Sequence, residues 1–161
     1  MPWEIRIVSE TAEAPLGDKQ SVCAWVSEAL PGVALRQLPL PPQEILASFP
    51  PAVREAFERP RLETLYEGDG FTVEFYCTDA PEIRCLHADI RGSGNPAPVL
   101  ARLCGPKGWT VISAADGSRV DLSGDGISQW QGFRDWRDQA IRQLCDADEG
   151  DPNAAADEPG E

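Results

Sequence analysis

The 161-residue chain has one histidine, one methionine and two tyrosines, and only two of its 14 basic residues are lysines. A lone histidine, His87, cannot complete the usual zinc spacings, and it leaves nucleophilic catalysis with a single imidazole to draw on. The five cysteines, Cys23, Cys77, Cys85, Cys104 and Cys145, contain no C-x-x-C pair. Neither a redox motif nor a zinc ribbon is therefore expected, and the thiols are expected to be free. No uncharged apolar run approaches the roughly 20 residues that span a bilayer, which argues against a membrane segment. Met1–Glu10 carries two acids and only Arg6, without the apolar stretch of a secretory signal. The expected location is therefore cytoplasmic.

Positive charge is also scarce. There are 27 acids against 14 bases, for a formal net charge of −13. Phosphate backbones are bound through Lys and Arg with release of counterions, so nucleic acid is not an expected partner. Within residues 146–161 there are seven acids, no base and no large apolar side chain. Such a segment cannot bury enough surface to offset its ordering entropy. The expectation is one domain over 1–145 and a disordered acidic tail over 146–161.

What is present is alternation and helical spacing. Trp3–Ser9 alternates apolar with charged residues and predicts a strand. Val22, Trp25, Val26, Ala29 and Leu30 predict a helix over 18–30, capped by Asp18 and stopped by Pro31-Gly32. Val33–Leu38 reads as a second strand. In the proline-rich stretch 39–60, Ile45, Leu46, Phe49, Val53 and Phe57 predict two short helices near 42–48 and 51–58. Leu62–Glu67 and Phe71–Thr78 flank Gly68-Asp69-Gly70 and predict a hairpin. A further strand is expected over Glu82–Arg91, and then a helix over 96–104 with Asn95 as cap and Pro96 at its first position. Trp109–Ala114 and Arg119–Leu122 predict a second hairpin. A last helix is expected from Ser128 to Cys145, with Trp130, Phe133 and Trp136 on its core side. Helices interspersed among antiparallel strands predict an α+β fold, mainly antiparallel sheet with helices packed on one face.

Three motifs invite chemistry. Cys85, His87 and Asp89 share one face of a strand, but residues two apart on a strand lie about 7 Å apart, too far for hydrogen-bonded catalytic partners. They read as the outer face of a sheet whose core side is Leu86, Ala88 and Ile90. Gly92-x-Gly94-x-x-Ala97 follows a strand and opens a helix, as a dinucleotide loop does. Pro96 and Pro98 remove amides where a phosphate would need them, so a tight turn is the competing reading. Asp121-x-Ser123-x-Asp125-Gly126 resembles the start of a calcium loop, but the twelfth position is Gly132, where a glutamate is required. From these motifs no catalytic residue, cofactor or metal is expected.

Ile90-Arg91-Gly92-x-Gly94-x-Pro96, Leu100 and Leu103, Gly108-Trp109, Asp121-Leu122 and Trp130-x-x-Phe133-Arg134-Asp135 together resemble a pattern of small bacterial immunity-type proteins. The resemblance covers about 90–138, under a third of the chain. It implies a small, acidic, cytoplasmic protein that neutralises a cognate toxin by occluding its active site, and it carries no site residues over. The acidic balance points the same way, because an acidic surface suits a basic protein partner and speeds encounter with it. The contacts expected from exposure are Glu74, Tyr76, Asp89 and Asp116. The alternatives are a small nucleotide- or ligand-binding domain using the Gly92–Ala97 turn, and an interaction module that docks through its acidic tail.

Overall fold

The computed structural model describes residues 1–11, 13–124 and 126–148, with side chains as far as Cys145. These residues fall into two compact units, Pro2–Ile127 and the C-terminal helix with Met1. In the first unit, β1 (Trp3–Val8) places Trp3, Ile5 and Ile7 on one buried face. A two-residue strand, β2 (Gly17–Asp18), leads into α1 (Lys19–Ala29). Asp18 caps that helix as expected, its carboxylate accepting from the Ser21 amide at 2.9 Å. Then come β3 (Arg36–Gln37), α2 (Gln43–Ser48) and α3 (Pro51–Glu58), the last begun by proline.

The predicted hairpin is β4 (Arg61–Gly68) and β5 (Phe71–Thr78), in register from Arg61 opposite Thr78 to Gly68 opposite Phe71. Next are β6 (Glu82–Ile83), β7 (Cys85–Gly92), α4 (Ala97–Cys104) and β8 (Thr110–Ser113). The fold is α+β, built on an antiparallel six-stranded sheet in the order β3-β4-β5-β7-β1-β8, with β2 and β6 paired separately. Register aligns Trp3 with Ile90, Ile5 with Ala88 and Ile7 with Leu86, and it aligns Val73 with Ile90 and Phe75 with Ala88. All these side chains are buried, so one sheet face is continuous core. Val22 and Val26 of α1 and Leu100 and Leu103 of α4 complete that layer. The Trp25 indole N–H ties the two helices together by donating to the Leu103 carbonyl at 2.9 Å. Each large apolar side chain fully buried there contributes about 1.5–3 kcal/mol.

Four elements differ from expectation. The second strand shrinks to Arg36–Gln37, because Val33 still donates to Leu30 in the turn after α1. The long strand expected over Glu82–Arg91 is divided at Arg84, since the Ile83 carbonyl is taken by the Leu16 amide and Gly17–Asp18 pairs with Glu82–Ile83. The second hairpin has one regular arm, and its return makes a single bridge, between Ile112 and Arg119, flanked by bonds from the Ser113 amide to the Ser118 carbonyl and from the Val120 amide to the Val111 carbonyl. Helix α4 starts at Ala97, with Pro96 as its cap.

The second unit is α5 (Ser128–Asp148). Trp130 is buried and stacks on Phe133 at 5.9 Å, but Trp136 is 52% exposed, which corrects its expected core placement. Arg142 donates to the Asp138 backbone carbonyl, and the Asp138 carboxylate pairs with Arg137. The helix extends to Asp148, into the stretch expected as a tail. The remainder of that stretch, 149–161, and Asp125 of the calcium-like motif lie outside the described residues.

Candidate partner-binding face

Because side chains alternate along a strand, burying one face of the sheet turns every second residue of β4, β5, β7 and β1 to the other face. Register then fixes who stands beside whom. One row across three strands is Glu74, Asp89 and Glu4, with Leu65 completing it on β4. The next row is Glu63, Tyr76, His87 and Arg6. Three carboxylates thus occupy directly opposed positions, about 4.5–5.5 Å apart at Cβ, where like charges destabilise a sheet. Of the four expected contact residues, Glu74, Tyr76 and Asp89 come together here. Asp116 does not, since it lies in the turn after β8 and accepts from the Ser118 amide and hydroxyl at 3.0 and 2.8 Å. Those bonds hold the Asp116 carboxyl below its ordinary value.

The face is organised around two aromatic rings. Tyr76 and His87 stack at 5.2 Å with planes 13° apart, and the Arg61 guanidinium lies 5.4 Å above the Tyr76 ring. Burial, and then the Asp89 charge, push the Tyr76 phenol up to about 12, so the hydroxyl keeps its proton and donates to Asp89 at 3.3 Å. Burial and the nearby Arg6 lower His87, which favours the neutral ring. Arg91 lies 3.5 Å from Glu74, and Arg61 pairs with Glu63 at 3.0 Å. Even so, the Glu63 carboxyl stays above its ordinary value, through burial and then the adjacent Glu74 charge. Glu4 and Glu63 were not singled out from sequence, although the alternation of each strand already placed them on this side, and His87 was read there only as part of the outer face of the sheet.

Cys85, His87 and Asp89 share this face, as expected from their spacing. Burial raises the Cys85 thiol above its ordinary value, the opposite of nucleophile activation. No family model matches this chain, and neither a curated protein nor a solved structure does.

The Gly92–Ala97 turn sits at the other end of β7, folded against the β4–β5 turn. The amides of Ser93 and Gly94 both donate to the Gly70 carbonyl, at 2.8 and 2.9 Å. The Ala97 amide donates to the Asn95 side chain at 3.0 Å. Pro96 and Pro98 have no amide to give. The amides that a phosphate would need are thus largely used within the turn. A Cβ on Gly92 would lie 2.3 Å from the Gly70 oxygen, and one on Gly94 would lie 2.1 Å from the Asp69 oxygen. Close packing of two turns accounts for both glycines. A hollow of about 500 Å3 beside the end of α4, lined by Cys104, Trp109, Val111, Arg119 and Val120, includes none of residues 92–97. Among the described residues no group of three or more metal-ligating side chains gathers, and no helix is long and apolar enough to cross a membrane.

Proposed function

We propose that this chain is a binding protein of the immunity type, whose acidic sheet face takes a basic toxin domain and occludes its working surface. The observation that carries the reading is the opposed row Glu74–Asp89–Glu4 beside the Tyr76–His87 stack. Carboxylates in directly opposed positions work against the fold that holds them, and departures from local rules of this kind concentrate where a protein has something to bind. A guanidinium or ammonium from a partner relieves that repulsion. The stacked rings, with Arg61 over Tyr76, supply a rigid aromatic contact beside the carboxylates, so charge and contact area occur together.

The overall balance supports the same reading, because a net charge of −13 draws a basic partner in from a distance. The resemblance over 90–138 adds to it. Its residues include core positions, Ile90, Leu100, Leu103 and Trp130, and the Gly92–Pro96 turn. In this proposal the chain is cytoplasmic and is not an enzyme.

The test uses the full chain as bait in the cytoplasm of its source cell, beside a Glu74→Lys/Asp89→Lys variant with an unchanged melting temperature. The proposal predicts that the parent retains one basic protein, that the variant loses it, and that co-expression of the parent rescues cells from that protein's toxicity. Capture of the same proteins by both baits would overturn it, as would capture of a basic protein whose expression harms no cell.

A further inference from the structure

The two edges of the sheet are finished differently. At one edge, β8 is partly covered by its own return through the Ile112–Arg119 bridge and the Val120 bond to Val111. At the other, β3 is two residues long and pairs only with Leu62 and Glu63 of the eight-residue β4. The direction of the backbone groups of β4 is fixed by two bonds at its start. The Arg61 carbonyl accepts from Leu38, on the β3 side, and the Pro60 carbonyl accepts from Asp79, on the β5 side. Backbone groups alternate along a strand, so those of Leu65 and Glu67 point away from β5, past the end of β3, and no strand among the described residues meets them. The Leu65 side chain is 52% exposed, and Glu67 is exposed beside it. The open length, Leu65 to Gly68, has no lysine, no proline and no bulge in its register with β5, and its one charge is Glu67.

We propose that the open length of β4, Leu65 to Gly68, receives an extended basic segment of the partner as an added strand. This rests on the reading of the chain as a binding protein for a basic partner, and it supplies the way that partner docks. Main-chain bonds to Leu65 and Glu67 provide the attachment, and alternate side chains provide the selectivity. One set lies on the acidic face beside Leu65 and Glu67, close to Glu63 and Glu74. The other set lies beside Thr64 and Tyr66. The segment that fits alternates cationic with apolar residues over about four positions, roughly 13 Å.

Charge also settles against two other occupants. A second copy offers only the same open length, since Glu63 already stands opposite Arg36 of β3, and pairing about Tyr66 would bring two acidic faces side by side with no cation opposite either Glu67. Residues 146–161 of the chain itself carry seven acids and no base, and would meet the same repulsion.

The test uses the full chain and a blocked seven-residue peptide in which arginine alternates with valine. A second peptide carries N-methyl groups on its arginines, which keeps the charge and removes the donors of the pairing edge. The expected result is at least tenfold tighter binding of the first peptide, with amide exchange at Leu65 and Glu67 slowed at least tenfold on binding. Glu67→Pro removes an outward-pointing amide together with the Glu67 carboxylate and should weaken binding at least tenfold, whereas Glu67→Gln, which removes the charge alone, should weaken it less. Leu65→Lys, which leaves the backbone intact, should weaken it too, so loss of fold in one variant does not decide the matter. Equal binding of both peptides, weakened for both by Glu74→Lys, would overturn strand addition and leave the acidic-face reading standing. Binding of neither peptide would overturn the edge as a docking site, while the capture experiment above decides the broader reading separately.

Discussion

Replacing Gly92 by alanine tests whether the Gly92–Ala97 turn is a packing joint. The residue has φ +106°, and a Cβ there would lie 2.3 Å from the Gly70 oxygen and 2.8 Å from the Phe71 Cα. Both neighbours are backbone and cannot swing aside. Forcing a side chain into well-packed surroundings costs about 1–3 kcal/mol, and the positive φ adds about 1–3 kcal/mol for a residue with a Cβ. Separating the two turns also strains the bonds from Ser93 and Gly94 to Gly70, each worth about 0.5–1.5 kcal/mol net. Allowing for partial relaxation, the expected loss is about 3–5 kcal/mol, a large part of the roughly 5–15 kcal/mol that holds a domain together. For a chain of this size that lowers Tm by about 10–15 °C. The matched control is Gly105→Ala, where φ is −55° and nothing lies within 4 Å of the added Cβ. That change should be neutral or stabilising by up to about 1 kcal/mol. Urea and thermal unfolding of both variants are the assay. A Gly92→Ala protein within about 0.5 kcal/mol of the parent would refute the packing explanation.

Other outcomes follow from single contacts. Trp25→Phe removes the indole donor to the Leu103 carbonyl and should cost about 1–2 kcal/mol in urea unfolding. Glu63 has a folded value raised by burial and by Glu74, so the stability it contributes is present below its unfolded value and is lost as pH rises through the folded one. Glu63→Gln should therefore raise Tm at neutral pH, with the gain shrinking as the pH is lowered towards 4. Burial pushes Cys77 and Cys104 up to about 12, whereas Cys145 is exposed. A thiol reagent at pH 8 should therefore label Cys145 first and reach Cys77 and Cys104 only on unfolding.

Strands with strict alternation were readable from sequence because one property, burial of every second side chain, sets both their period and their face. β1, β5 and β7 carry that pattern through Trp3–Ile7, Phe71–Cys77 and Leu86–Ile90. The Asp18 cap and the proline-started helices were readable too, since their rules are local. Pairing across the chain was not: nothing local in Gly17–Asp18 announces that it captures Glu82–Ile83 and ends the long strand. Position on α5 was legible only in part, because Trp136 shares the helical spacing of Trp130 yet stays exposed. Glu74, Tyr76 and Asp89 could be listed from exposure, but their meeting depends on register between β5 and β7. That register also adds Glu4 and Glu63 and leaves Asp116 in its own turn.

The most direct test of the acidic face is the association rate of the captured partner with the parent chain and with Glu74→Lys/Asp89→Lys, measured as salt is raised from 20 to 500 mM, concentrations chosen to sweep the screening length from about 20 Å to about 4 Å. Steering by the acidic face predicts a fast rate that falls steeply with salt for the parent, and a slower rate with a flatter salt dependence for the variant. Equal rates with equal salt dependence would contradict it.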